Sequence, residues 1–397
     1  MNFKNSLTSK LLLAIFSVAF IVLILAVADR IYGNYFTKNT QELIYPPCSK
    51  ARHQSSEFDI TVKINSLGFR DYEYPLTKKK KYRIAVIGDS FTFGWGVNIE
   101  YCWVKILEKE LNASGIDVEI QNLGKGGASP TDYAQTAEKA IPILKPNLVV
   151  VCALQANDLH QLILHAYDSL PKPKVEQPKK NYFSQKTTSI LNRAFPNFLK
   201  RLSVQNINIS EQWKRDAPAL LTSFREEQKL RFDALDEKVK SDFQSGLLNP
   251  WLIHQAVYYP EYFTQPLDTA DLDVVIGVSA MADYFAKIKQ VCSVNNSELM
   301  VISIPNLPYS SKEEMSSLKK YGFSIPDSIF GNQLADETIK MATTESEIEF
   351  YSVSENFRKR KKEKNLYYQF DGHFTKEGNR VFATSVKEIF ERKIKTN

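Results

Sequence analysis

The chain has 397 residues, 43% hydrophobic and 24% charged, a globular composition long enough to bury a large core in one or two domains. Its net charge of +6 sits in two basic runs, Lys78–Lys81 and Arg358–Lys364, and the remainder is slightly acidic. No helix or repeat interleaves arginine with aromatics, so nucleic acid is not expected as a partner. The runs read as solvated loop or helix-end charge, with anionic lipid or glycan contact as the alternative.

From the N-terminus, Leu11 to Ala28 (LLLAIFSVAFIVLILAVA) carries no charge. Eighteen such residues rise about 27 Å as a helix, enough to cross a bilayer core. Ala26-Val-Ala28 resembles a cleavage site, but the apolar run continues right up to it, so an uncleaved anchor is expected. Lys4 and Lys10 precede the run, while Asp29 and Arg30 cancel after it. The positive-inside rule therefore makes residues 1–30 a cytoplasmic tip and transmembrane anchor, with the rest of the chain on the periplasmic or outer side. Residues 31–81 read as a juxtamembrane extension that packs on the domain and carries no chemistry of its own.

Residues 82–397 alternate strand and helix. Strands are predicted at 83–87, 118–121, 148–154, 299–304 and 348–353. Helices follow the first turn, then run from Thr131 (as cap) to Leu144, over 272–294, and from Thr375 onward. This order predicts a parallel five-stranded sheet with helices on both faces, a three-layer α/β/α sandwich. An insertion, about 161–271, opens with Pro-Lys-rich turns, becomes helical and charged, and ends aromatic-dense at Trp251–Phe263. A lid or substrate-shaping subdomain and a partner-docking surface arm are equally compatible with it. The four cysteines (Cys48, Cys102, Cys152, Cys292) have no C-x-x-C spacing or nearby histidine, so neither metal nor cofactor is expected.

Gly88-Asp89-Ser90 stops the first strand abruptly and lifts Ser90 to its carboxyl end, where open α/β sheets hold ligands. An ordinary Asp/Ser turn is the bland alternative. Of five histidines, only His373 lies just after the last strand and before a capped helix. Asp371, two residues earlier, would point the same way in an extended segment and could bond Nδ1, leaving Nε2 for Ser90.

Four short blocks in order resemble the SGNH (GDSL-type) hydrolase superfamily: Gly88-Asp-Ser-Phe-Thr-Phe-Gly94, Asn122-Leu-Gly-Lys-Gly-Gly127, Leu154-Gln-Ala-Asn157-Asp158 and Phe370-Asp-Gly-His-Phe374. The resemblance covers about residues 82–160 and 272–392. It implies a three-layer flavodoxin-like fold and a catalytic triad Ser90, Asp371 and His373. The implied oxyanion hole is the N–H groups of Ser90 and Gly127 with the Asn157 amide. Gly124 and Gly126 compete for the glycine role, and a strand-end turn is the alternative for Asn157. Two departures stand out. Gln155 replaces a glycine, which would polarise the pocket floor, and Asp-x-His replaces the commoner Asp-x-x-His. The shorter spacing is similar to that of members acting on polysaccharide acetyl groups, some of them O-acetyltransferase-like. The expected function is a membrane-anchored serine esterase acting on acylated glycan, or next on acyl lipid. A polysaccharide O-acetyltransferase and a catalytically idle envelope scaffold, docking a protein partner through 161–271, are the rivals.

Overall fold

The computed structural model describes residues 3–168, 194–198, 204–359 and 365–395. The Pro-Lys-rich opening of the insertion and residues 360–364 of the second basic run lie outside them. A single helix, α1 (Phe3–Asn39), contains the apolar run and extends well beyond 11–28 at both ends. Its stretch Thr8–Phe36 is long and apolar enough to cross a membrane, and its large apolar side chains from Leu11 to Val27 are left exposed by the rest of the chain. Near its end Asp29 pairs with Arg30, and its carboxylate accepts the N–H groups of Asn197 (3.1 Å) and Phe198 (2.8 Å).

The strands in chain order are β1 (Lys50–Gln54), β2 (Asp59–Lys63), β3 (Tyr82–Gly88), β4 (Val118–Gly124), β5 (Leu148–Leu154), β6 (Gln205–Asn208), β7 (Glu298–Ile304) and β8 (Glu349–Ser352). The main sheet is parallel throughout, in the order β4-β3-β5-β7-β8. Numbered within the sheet this is 2-1-3-4-5, the flavodoxin-like doubly wound order, whose switch point falls between β3 and β5. Every residue of β3, β4 and β5 is buried; β5 is the continuous apolar run expected of a strand covered on both faces, whereas β4 (VEIQNLG) also buries Glu119, Gln121 and Asn122.

Alternation along β3 builds two cores. Ile84 and Val86 face α3 (Trp103–Ala113) and the C-terminal helix Lys376–Lys395, while Ala85 and Ile87 face α4 (Pro130–Leu144), α5 (Asn157–Asp168) and the helix Leu272–Val294. Thr131 does not cap α4. Ser129 does, in a capping box with Asp132, because Pro130 fills the first helical position where no N–H is needed. Ala217, Leu220, Phe224, Phe232, Phe243 and Ile253 of the insertion join the same core cluster as Ile84.

Two arrangements lie beyond periodicity. β6, from the insertion, pairs in parallel with β1, from the extension, giving a second sheet in the order β2-β1-β6. At the amino edge of the main sheet, fully buried Arg83 pairs with Glu119 and donates to the carbonyls of Leu144 (2.7 Å), Leu76 (2.9 Å) and Pro75 (2.9 Å). A buried ion pair is tolerable only when its remaining donors are satisfied, and these carbonyls satisfy them while tying down the end of the extension.

Candidate active site

The turn that carries Ser90 is built by packing and capping together. Gly88 is obligatory because a Cβ there would fall 2.2 Å from Thr92 Oγ1. Asp89 then caps a one-turn helix, α2 (Ser90–Phe93), its carboxylate accepting the Phe91 N–H at 2.9 Å. Gly94, at φ +81°, ends that turn at once. Ser90 is thereby held at the first helical position, where its N–H has no intrahelical acceptor.

Three of the expected residues meet. The Ser90 hydroxyl lies 2.7 Å from His373 Nε2, and His373 Nδ1 is hydrogen-bonded to Asp371. The second Asp371 oxygen accepts Trp95 Nε1–H at 3.1 Å. Asp371 is almost sealed, at 1% side-chain exposure, whereas His373 keeps 21%. A dry carboxylate thus backs an imidazole that a substrate can reach. Burial alone would lower the His373 pKa, but the charge and hydrogen bond of Asp371, with the Asp89 charge behind them, outweigh it and hold the imidazole above its ordinary 6.5.

Asp371 and His373 do not meet by standing on one side of an extended segment. Tyr367 bridges Phe374, Gly372 N–H donates to Tyr368 O at 3.0 Å, and Tyr368 N–H donates to His373 O at 2.8 Å. The pair therefore sits on a tight turn whose centre, Gly372, has φ +87°. Glycine between them makes that turn affordable.

Flanking β3, the Gly127 loop follows β4 and Asn157 follows β5, so both stand at the same carboxyl edge as Ser90. The three candidate glycines separate by hydrogen bonding. Gly124 N–H donates to Asn122 Oδ1 and Gly126 N–H to the Tyr45 hydroxyl, each at 2.9 Å. Among the described residues Gly127 N–H has no protein acceptor, and at φ +69° nothing lies within 4 Å of where its Cβ would be. Asn157 begins α5 directly after Ala156, whose φ of +62° is left-handed for a residue with a Cβ and costs about 1–2 kcal/mol. Its Oδ1 accepts Gln161 Nε2–H at 2.9 Å, and the Tyr262 hydroxyl lies within hydrogen-bond reach of its amide. Gln155 does not face the pocket. It is fully buried, donating to Asp336 (2.6 Å) and Ser354 (2.8 Å) and accepting Asn306 N–H (3.0 Å), so it braces the ends of β5 and β7. No group of three or more metal-ligating side chains occurs among the described residues.

Neither protein-family models nor curated proteins give a match to this chain. Similar solved structures include a psychrotrophic esterase from Pseudoalteromonas sp. inhibited by monoethylphosphonate (TM-score 0.37, 8% identity, covering 79% of this chain and 100% of that one). Others are the lipase/acylhydrolase from Enterococcus faecalis (0.37, 10%, 79% and 96%) and an acetyl xylan esterase (0.36, 10%, 77% and 98%). Likeness this distant adds nothing to what the residues themselves support.

Several residues around the site carry no motif. Trp95 holds Asp371, and three members of the extension each hold one loop. Tyr45 receives Gly126 N–H. Buried Arg70 donates to the carbonyls of Phe93 (2.7 Å), Gly94 and Val97 behind Ser90. Glu57 accepts the N–H groups of Gln369, Phe370 and Asp371. Arg70 in a segment already rich in aromatics, and the Gly-Trp-Gly placement of Trp95, were the only cues in the sequence; Glu57 had none.

Proposed function

We propose that this chain is an SGNH-type serine hydrolase that cleaves carboxylic esters through an acyl-enzyme on Ser90, with acetyl esters on cell-surface glycan as the substrate class. The observation carrying this reading is the continuous hydrogen-bond chain Ser90–His373–Asp371 at the switch point of a doubly wound sheet. His373 takes the hydroxyl proton as Ser90 Oγ attacks the ester carbon. The oxyanion is received by the N–H groups of Ser90 and Gly127 and by the Asn157 amide, which has a second hydrogen beyond the one near Tyr262. Collapse of the tetrahedral adduct expels the alcohol, which recovers the proton from His373, and the acyl-Ser90 ester is then hydrolysed by water activated at the same Nε2. The apolar helix supports an anchored protein with its site outside the cytoplasm.

Asn157→Ala removes one oxyanion donor and should lower kcat by about 10²–10³-fold with KM little changed. Steady-state kinetics on a soluble acetyl ester checks this, and a full-rate variant removes Asn157 from the site. The nature of the acceptor is tested by giving the full chain an acetyl ester with rising concentrations of acetyl-free glycan. Free acetate is expected as the main product. Slow acetate release alone, with turnover climbing as acetyl appears on the added glycan, would replace hydrolysis by transfer.

A further inference from the structure

The hairpin tip between β1 and β2 delivers one carboxylate to the loop that carries two members of the triad. Glu57 Oε1 accepts Gln369 N–H at 2.7 Å, and Oε2 accepts Phe370 N–H at 3.1 Å and Asp371 N–H at 2.9 Å. Three successive amides converging on one anion form a concave nest that fixes the backbone dihedrals of the segment supplying them. The last of those amides belongs to Asp371 itself.

The tip is in turn held rigidly. Ser55 Oγ accepts the N–H groups of Glu57 (3.1 Å) and Phe58 (3.2 Å), and Ser55 N–H donates to Phe58 O at 2.8 Å. Phe58 is buried against Trp95 (6.3 Å) and Tyr368 (5.4 Å). The latch is kept at a cost. Partial burial raises the Glu57 pKa, and the neighbouring Asp371 charge raises it further against the three N–H bonds that lower it. A neutral latch would avoid repelling Asp371, so the charge is retained for the strength of three ionic hydrogen bonds.

Resting on the hydrolase reading above, we propose that Glu57 is a positioning residue for the reaction: it sets the turn 368–373 so that Asp371 and His373 stand in register with Ser90. The segment joining the membrane helix to the domain is therefore a working part of the site. Misplacement of a catalytic group by about 1 Å can cost on the order of 10²-fold in rate, and among the described residues no other side chain accepts all three of these amides.

The test uses the full chain in detergent with Glu57→Gln, which keeps the shape but opposes an NH2 group to at least one backbone N–H, and Glu57→Asp, which keeps the charge on a shorter arm. For Glu57→Gln we expect kcat on a soluble acetyl ester to fall about 10²-fold with KM within twofold, measured well below the variant's melting temperature so that any loss of stability does not account for it. The acid limb of the pH–rate profile should move toward lower pH as the Asp371 contact with His373 slackens. Glu57→Asp should recover part of the rate. A Glu57→Gln enzyme within threefold of wild-type kcat overturns the proposal. So does a fall in kcat that only tracks lost thermal stability with an unmoved pH profile, since that describes a structural residue. Wild-type enzyme lacking Ser90-dependent turnover would instead sink the hydrolase reading.

Discussion

Ser90→Ala should abolish ester turnover, with kcat lowered by about 10⁴-fold or more, while the protein folds normally. The size follows from what the hydroxyl does: without it no acyl-enzyme forms, and only the oxyanion donors and binding remain to act on water. The mild effect on folding follows from position. Ser90 is only partly buried, and the turn is held by Asp89, by the Gly94 N–H to the Ser90 carbonyl and by the Trp95 N–H to the same carbonyl, none of which involves the side chain. The measurement pairs ester kinetics with labelling by a fluorophosphonate, which should mark wild type at Ser90 and leave the variant unmarked. A loss short of about 10²-fold, or labelling that persists, would move the nucleophile elsewhere.

Asp371→Asn should cost about 10⁴-fold in kcat, the scale seen when a triad carboxylate becomes an amide and the imidazole settles in the wrong tautomer. Here the defect is double. An asparagine must satisfy donors on both sides, His373 Nδ1–H and Trp95 Nε1–H, with one oxygen and one NH2 group. The pH dependence carries an independent sign. His373 must be neutral to accept the Ser90 proton, and its pKa lies above 6.5, so wild-type activity should fall as pH drops through a midpoint above 6.5. Removing the Asp371 charge removes the larger part of what raises that pKa and leaves only the Asp89 charge acting upward against burial, so the residual activity should keep its rate to lower pH. An acid limb that does not move in this variant would separate the titrating base from His373.

The sheet and the meeting of Ser90, His373 and Asp371 were legible because each rests on local pattern. β5 is an unbroken apolar run with the bounds its sequence predicts, and the helix Leu272–Val294 also keeps its predicted bounds, burying Val278, Met281, Phe285 and Ile288 while Leu272, Val275, Ile276 and Val294 stay exposed. Gly88-Asp89-Ser90 and Asp371-Gly372-His373 are backbone requirements written in residue type. What escaped was tertiary. The carboxylate of Glu57 meets amides more than three hundred positions away, the hydroxyl of Tyr45 settles which glycine amide stays free, and Gln155 turns toward Asp336 because polar partners wait there. No period or spacing encodes such meetings, since each depends on where the completed fold sets two distant segments side by side. Even the correct pairing of Asp371 with His373 was expected for the wrong local reason, an extended strand where a glycine turn stands.

The small sheet β2-β1-β6 bears on how the protein comes into being. Its central strand leaves the ribosome directly after the apolar helix, yet one neighbour is some hundred and fifty residues downstream and the amides that Glu57 receives follow later still. Loop closure over such distances must be completed before the contacts reward it, which makes assembly slow relative to a locally wired domain. A chain interrupted before its last fifty residues would own a nucleophile without a base, and a hairpin with nothing to grip. Turnover thus reports that the segment carrying His373 has docked against the hairpin that carries Glu57, and a growing chain stays chemically silent until then.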